Sequence, residues 1–296
     1  MTAEYSPSPS TDDEYSEVKG EGRQLQIHEI SDSDPEDSGE KPTKSSLKTE
    51  NDIEVLNHLP KRTVPNSNVP ERIIFCIDTC QVADSSLFVL DHGTSFTPIN
   101  MLKRITEFFL YSKQSINHNT EFALVLLKES EVVWQHHFTK NIVEIIMHLD
   151  KFEGEECNAV EFDLTKLFDL INTKVSLPEI CLDYKIVPPS NVVRLILLYN
   201  RSNCLPKLLS GTRSFDVIKE HPYFTIDILY SHEDKCSGHK CLEIYDALQS
   251  LDNGYSYIFE VVKCAAKMHE CAAKLLAHPL QRPLQKNSSY SFTSDK

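Results

Sequence analysis

The sequence predicts an α/β protein with a doubly wound, mostly parallel sheet, one antiparallel edge strand and helices on both faces. Continuous apolar runs at 71–78, 192–200 and 223–231 are typical of strands that are covered on both sides. Segments with one apolar face at helical spacing separate these runs, and a single short hairpin interrupts the alternation. Such an alternation favours right-handed crossovers and a sheet that lies between two layers of helices.

The first helix and the hairpin follow the first apolar strand. Pro98 suits a first helical position, and apolar side chains recur from Leu102 at i, i+3 and i+7, which predicts a helix over 98–116. Residues 121–138 form two predicted strands around the polar turn 128–131, a connection that only an antiparallel hairpin can make. The remaining predicted elements are, in order, helices at 141–152 and 164–175, strands at 192–200 and 223–231, a helix at 242–251, a strand at 255–262 and a helix at 265–277.

Three regions of different composition are predicted along the chain: an arm at 1–68, a domain at 69–277 and a Pro-containing tail at 278–296. Up to position 60 the chain holds 15 acidic and 5 basic residues, with many Ser and Pro and few apolar side chains, so the arm is predicted to be disordered. Ser31 and Ser33 precede acidic residues in this arm and are candidate phosphorylation sites.

Charge and cysteine content restrict the class of protein. The formal charge of −14 and the lack of a basic run argue against direct binding of nucleic acid. The first eleven residues have no signal-peptide pattern, and no apolar run is long enough to span a bilayer, so no membrane partner is expected. Nine cysteines, several of them inside apolar runs, are typical of reduced thiols. We therefore expect a cytoplasmic and nuclear protein.

The first apolar strand ends at Asp78, where a doubly wound sheet usually binds its ligand. In von Willebrand A domains this position opens the metal-binding run Asp-x-Ser-x-Ser, whose carboxylate and hydroxyls supply oxygen ligands for magnesium. Here Cys80 and Val82 replace both hydroxyls, and neither side chain offers an oxygen. The run is a degenerate site, so no metal is predicted and Asp78 is expected to hydrogen-bond a neighbouring loop.

A second group of possible metal ligands lies in one short loop and comprises His232, Cys236, His239 and Cys241. This set lacks the Cys-x2-Cys hairpin of most zinc sites, and its last two members are poorly spaced to close a tetrahedron around one ion. A solvated loop is the preferred interpretation, with a zinc site as the alternative.

The sequence contains no recognisable catalytic constellation. His136 and His137 are adjacent, whereas a zinc isopeptidase uses a His-x-His pair with a distant Asp. A nucleophile elbow and a phosphate loop are also missing, so the protein is predicted to be no enzyme and to need no cofactor.

The last predicted helix meets two prolines, Pro279 and Pro283, and must stop before them. We expect an extended chain from there, since such a Pro-containing segment has low entropy and suits the groove of a partner domain. An ordinary Pro-rich tail is the alternative that composition alone slightly favours.

Three segments carry a resemblance to a known family: AKLLAHPLQRP at 273–283, PPSNVVRLILLY at 188–199 and NTEFALV at 119–125. In these segments the chain resembles the von Willebrand A-like adaptor (MERIT) subunits shared by the BRISC and BRCA-A deubiquitinase complexes. The resemblance covers about residues 69–292 and is weak in the acidic arm. It implies a von Willebrand A-like domain without a metal site.

The resemblance also implies a function. Subunits of this family are non-catalytic scaffolds whose tail docks on a ubiquitin-conjugating-enzyme-variant domain of the BRE subunit. Through BRE they join an Abraxas-type scaffold and a zinc isopeptidase subunit that cleaves polyubiquitin linked through lysine sixty-three, with roles in DNA damage repair, mitosis and cytosolic ubiquitin signalling. The matching tail residues in this chain are Leu275, Leu276, His278, Pro279, Leu280, Gln281, Arg282 and Pro283.

Two other function classes stay open at this point. A metal-dependent von Willebrand A assembly module needs Asp78 to work with ligands from outside the usual run. A zinc-binding protein needs the loop from His232 to Cys241. A metal analysis of the purified protein separates both classes from the scaffold.

Overall fold

The computed structural model describes residues 66–288, apart from 83–84, 91, 182–186, 210–212 and 234–239. Nearly all of the predicted arm at 1–68, including Ser31 and Ser33, and the tail beyond 288 lie outside the described residues. None of the helices in the described ranges is long and apolar enough to cross a membrane.

A six-stranded sheet forms the centre of the domain. Its strands are β1 (Glu71–Asp78), β2 (Glu121–Leu127), β3 (Val132–Thr139), β4 (Val192–Tyr199), β5 (Phe224–His232) and β6 (Ile258–Val262). Their spatial order is β6-β5-β4-β1-β2-β3. All neighbouring strands are parallel except β2 and β3, which form the antiparallel hairpin at one edge. This order and this edge strand confirm the predicted von Willebrand A-like, doubly wound sheet.

Within the described residues, six helices cover the sheet, three on each face, which confirms the predicted helices on both faces. They are α1 (Pro98–Ile116), α2 (Ile142–Leu149), α3 (Thr165–Lys174), α4 (Arg213–Glu220), α5 (Cys241–Gln249) and α6 (Ala265–Leu275). Side chains of α1, α2 and α6 pack on one face around Phe75 and Ile196, and side chains of α3, α4 and α5 pack on the other around Cys76 and Leu197. Because neighbouring strand residues point to opposite faces and both faces are covered, the side chains of β1 and β4 are mostly apolar on both faces.

Local chemistry sets the helix ends. The Thr97 hydroxyl caps α1 by accepting a hydrogen bond from the backbone N–H of Asn100, and Pro98 takes the first helical position. Helix α6 ends at Leu275, two residues earlier than predicted. Its last carbonyls, those of Leu275 and Leu276, accept hydrogen bonds from buried cationic side chains, so the helix ends where these charges bind it.

Three short strand pairs outside the main sheet were not predicted. They have only two or three residues in each strand, too few for an alternation of apolar and polar side chains to show in the sequence. They pair Cys80–Gln81 with Glu155–Glu156, Glu161–Asp163 with Leu205–Lys207, and Phe88–Val89 with Ser95–Phe96.

Candidate functional site

The Asp78 carboxylate lies at the carboxyl end of β1, where the strand order reverses between β1 and β4. Ligands of doubly wound proteins usually bind at this point. Asp78 is fully buried, and its oxygens accept hydrogen bonds from the backbone N–H groups of Cys80, at 3.2 Å, and Asn200, at 3.0 Å. Asp78 therefore holds the loops after β1 and β4 together, the loop-bonding role predicted from the sequence.

Arg201 supplies a buried positive charge to this carboxylate. Its Nε lies 2.9 Å from Oδ1 of Asp78, and its Nη2 donates to the carbonyl oxygen of Lys128 at 2.7 Å. The guanidinium also lies 4.4 Å from the centre of the Phe162 ring. Burial raises the pKa of Asp78, while Arg201 and the two backbone donors oppose that rise. The carboxylate is thus already bound to a fixed cation of the same chain.

The residues of the degenerate run do not fit a magnesium ion. The side chain of Cys80 is buried and that of Val82 is half-buried, and neither offers an oxygen ligand beside Asp78. Throughout the described ranges, no group of three His, Cys, Asp or Glu side chains is placed to hold a metal ion.

The proposed zinc ligands fall partly outside the described residues, which exclude Cys236 and His239. In His232, Nδ1 lies 2.5 Å from the carbonyl oxygen of Glu233, and Nε2 lies 3.0 Å from the Glu260 carboxylate. The Cys241 thiol also points to the Glu233 carbonyl, at 3.8 Å. The two described members of the set are therefore engaged in contacts between the loop and the sheet.

A buried ionic network lies at the opposite end of the sheet, where it contacts the C-terminal ends of α1 and α6. Arg194 of β4 connects two carboxylates: its Nη1 is 3.2 Å from Glu71 of β1, and its Nε is 2.6 Å from Asp227 of β5. Lys113 of α1 forms an ion pair with the other side of Glu71. Arg194 and Lys113 also donate to the carbonyl oxygens of Leu275, at 2.6 Å, and Leu276, at 3.0 Å, at the end of α6. The network thereby fixes the end of the last helix.

The C-terminal segment enters this network through Arg282. Its two terminal nitrogens bind both oxygens of Asp227, at 3.0 Å and 2.5 Å, and its guanidinium lies 4.0 Å from the centre of the Tyr257 ring. Burial alone would raise the pKa of Asp227, but Arg282 and Arg194 outweigh it and hold that pKa below its usual value. Asp227 therefore joins the tail to the sheet.

Other residues of the segment extend this attachment. The side-chain amide of Gln285 bonds both the N–H and the C=O of Ile258, each at 2.8 Å, as a neighbouring strand would. Leu280 packs with Val192 and Tyr223, and the ring of His278 bonds the Val69 carbonyl oxygen at 3.0 Å. Gln285 therefore covers part of the free edge of β6.

The comparison with curated proteins decides the family. A Homo sapiens protein named BRISC and BRCA1-A complex member 1 is 34% identical over 238 residues, which cover 78% of this chain and 71% of that protein. Proteins of the same name from Mus musculus and Xenopus tropicalis are 34% and 30% identical, and the matches cover 78% of this chain and 70% and 73% of those proteins. The chain belongs to this family. No protein-family model matches the chain.

Similar solved structures are more distant. They include the SpRpn10 VWA domain, with a TM-score of 0.44 and 12% identity, covering 73% of this chain and all of that one. The PilB minor pilin of Streptococcus sanguinis has a TM-score of 0.49 and 9% identity, covering 73% of this chain and 62% of that one. The fold assignment given above rests on the order and direction of the strands in this chain.

The tail residues that the family resemblance indicates divide into buried and exposed groups. Leu275, His278, Pro279 and Leu280 are buried, and Leu276 is partly buried against the core. The Arg282 side chain is only 2% exposed, because it is buried against the Asp227 carboxylate of this chain. Gln281 and Pro283 are exposed.

The described tail also differs from the extended chain that its prolines predict. The backbone N–H groups of Gln281 and Arg282 both bond the carbonyl oxygen of His278, at 2.9 Å and 3.0 Å, and close one turn. Because Asp227 of β5 binds the guanidinium of Arg282, the tail forms a turn that packs against the sheet and does not extend away from it.

Sequence reasoning missed Arg201 and the ionic network. Arg194 and Asp227 each stand alone in an otherwise apolar strand, and a buried charge of this kind requires a partner of opposite sign. The sequence alone therefore indicates that Arg194 and Asp227 need partners of opposite charge. The partners Lys113 and Arg282 come from helix α1 and the tail, and no local pattern relates them to the strands.

Proposed function

We propose that this chain is a non-catalytic adaptor subunit of a BRISC-type deubiquitinase complex. The observation that carries the proposal is its membership of a family whose curated members are named for the BRISC and BRCA1-A complexes. In this proposal the chain stabilises the assembly, and a separate zinc isopeptidase subunit cleaves polyubiquitin linked through lysine sixty-three. The chain would act in the cytoplasm and the nucleus, in ubiquitin signalling and in the response to DNA damage.

The chemistry at the switch point supports a role without catalysis. The acid that would normally serve a ligand, Asp78, is neutralised by Arg201 and closed off from solvent. The histidine pair of β3 also lacks the arrangement of a zinc site, since Nδ1 of His136 lies 2.7 Å from the backbone oxygen of His137. These two sites are therefore engaged in contacts within the fold, which supports a structural role for Asp78 and His136.

The docking surface we propose is the outer side of the tail turn. Its inner side chains, those of Leu280, Arg282 and Gln285, are held by the domain, which leaves Gln281 and Pro283 facing outward. A segment that the domain already orders has little conformational entropy left to lose when it binds. We propose that this surface contacts the ubiquitin-conjugating-enzyme-variant domain of a BRE-type subunit, and through it the Abraxas-type scaffold.

Affinity purification from the organism's own cells tests the assignment. A tagged full-length chain is expected to co-purify with a BRE-type subunit, an Abraxas-type scaffold and a zinc isopeptidase, identified by mass spectrometry. The eluate should cleave polyubiquitin linked through lysine sixty-three, whereas the chain purified alone from bacteria should not. Recovery of the chain without these subunits, or cleavage by the chain alone, would contradict the proposal.

A further inference from the structure

Three thiols converge beside the Asp78–Arg201 pair, and the adaptor role uses none of them. Cys80 and Cys204 are buried, whereas Cys157 is half-buried and therefore reached by solvent. The backbone N–H of Cys157 bonds the carbonyl oxygen of Gln81 at 3.1 Å, which sets Cys157 beside the short strand that begins at Cys80. Nη1 of Arg201 lies 3.9 Å from the Cys157 sulfur and 3.8 Å from the Cys204 sulfur. The accessible sulfur of Cys157 thus contacts a guanidinium that also contacts the buried sulfur of Cys204.

This environment distinguishes the three sulfurs chemically. Hydrogen bonds from Cys204 and Cys80, together with the charge of Arg201, lower the pKa of the Cys157 thiol. The hydrogen bond to Cys157 and burial raise the pKa of the Cys204 thiol. The thiolate is the nucleophilic form of cysteine, so Cys157 is the reactive member and Cys204 stays protonated.

A soft metal ion is a poor occupant for the same cluster. The fixed positive charge of Arg201 lies next to two of the three sulfurs and would repel a cation held between them. Oxidation of two neighbouring thiols needs no such cation.

The register of the short strand pair selects the partner of Cys157. Cys80 stands opposite Glu155, two residues before Cys157, so Cys157 lies about 7 Å further along the chain. Together with the spacing between the strands, this offset exceeds the Cα separation of about 7 Å that a disulfide can bridge. Cys204 directly precedes the strand that pairs with Glu161–Asp163, and one nitrogen of Arg201 lies within 3.9 Å of both its sulfur and the Cys157 sulfur, so these two sulfurs face the same atom.

We propose that Cys157 is a site of oxidative modification, which forms a reversible disulfide with Cys204 when the protein meets a hydroperoxide. The Cys157 thiolate attacks the peroxide oxygen, the O–O bond breaks, and hydroxide or alkoxide leaves while Cys157 becomes a sulfenic acid. The Cys204 sulfur then displaces the hydroxyl group, the S–S bond forms, and the Cys204 proton leaves in a molecule of water. The two thiols lose two electrons and the peroxide gains them.

Peroxide treatment of the full-length chain, followed by alkylation of the remaining thiols and peptide mass spectrometry, tests the proposal. Hydrogen peroxide is the probe, and the exposed Cys181 and Cys264 are internal controls for accessibility. We expect Cys157 to be consumed at least about tenfold faster than either control, with a Cys157–Cys204 peptide as product that dithiothreitol reverses.

Two variants make the result specific. In Cys204→Ser, Cys157 should accumulate as a sulfenic acid that dimedone traps, and in Cys157→Ser the fast reaction should disappear. Cys264→Ser should behave as the unchanged chain. Equal consumption of Cys157, Cys181 and Cys264, or a disulfide from Cys157 to Cys80, would overturn the proposal.

Discussion

Arg282 and Asp227 form a buried, two-pronged ion pair that joins the C-terminal segment to the central sheet. The two residues are 55 positions apart in sequence, and neither side chain is more than 2% exposed. Such a pair costs desolvation to form, but removing one partner leaves a buried charge without compensation. The segment that the family resemblance marks for partner binding is therefore also part of the fold.

Arg282→Met should destabilise the domain. It leaves the buried Asp227 carboxylate with Arg194 and one backbone donor, so we expect the free energy of unfolding to fall by about 3 kcal/mol. Urea unfolding followed by circular dichroism measures this change. Lys286→Met, a change at an exposed residue of the same segment, is the control and should stay within about 0.5 kcal/mol. An unchanged stability of Arg282→Met would show that the tail is not held by this pair.

Arg201→Met should have a comparable effect at the other end of the sheet. It leaves the buried Asp78 carboxylate with only backbone donors, so we expect the free energy of unfolding to fall by about 3 kcal/mol. The double variant Asp78→Asn with Arg201→Met should recover part of this loss, because it removes the unpaired charge. Thermal unfolding of the three proteins gives the comparison.

Magnesium gives an independent check of the same site. Because Arg201 already neutralises Asp78, addition of magnesium should leave the Tm of the unchanged chain where it was. A magnesium-dependent rise in Tm that Asp78→Ala abolishes would contradict this assignment and favour the metal-dependent assembly module.

The tail should loosen as the pH falls. Nδ1 of His278 accepts a hydrogen bond from the Leu280 N–H at 3.1 Å, and Nε2 bonds the carbonyl oxygen of Val69, which fits a neutral ring. Burial lowers the pKa of His278 in the folded chain, so the unfolded chain binds its proton first. This stabilising contribution is present above the unfolded pKa of about 6.5 and is lost as the pH falls from there towards the folded pKa.

Amide hydrogen exchange at Leu280 measures this loss locally. The pH range from about 7 to about 5 brackets the ordinary histidine pKa of about 6.5. Over this range we expect the protection of the Leu280 amide, corrected for its intrinsic exchange rate, to decrease. The amide of Ile74 in β1 should keep its protection. In His278→Gln the Leu280 protection should no longer depend on pH over this range. Constant protection of Leu280 in the unchanged chain would show that His278 does not titrate against the tail.

The sequence predicted the α/β architecture well because apolar runs and helical faces are local patterns. The segments 192–200 and 223–231 are mostly apolar on both faces, a composition that is typical of strands buried on two sides. The helix over 98–116 was also predicted at its observed bounds, since Pro98 and one apolar face both mark it.

The candidate sites were predicted less completely because they depend on contacts between distant residues. Asp78 was found through its position at a strand end, but Arg201 could be paired with it only once β1 and β4 were neighbours. The tail was predicted to be extended because its prolines disfavour a helix in the residues beside them. The turn that forms instead depends on the ion pair between Arg282 and Asp227, and Asp227 lies in β5, far from the tail in sequence.

The docking role of the tail is the central claim, and calorimetric titration of the full-length chain against a purified BRE-type subunit tests it most directly. Gln281→Ala combined with Pro283→Ala changes only exposed tail residues, and Glu220→Ala on α4 is the matched control. All three proteins should share one Tm. We predict that the tail double variant binds at least about tenfold more weakly, a loss of about 1.4 kcal/mol, while Glu220→Ala binds as the unchanged chain does. Equal affinity of the double variant, or no binding by the unchanged chain, would contradict the account.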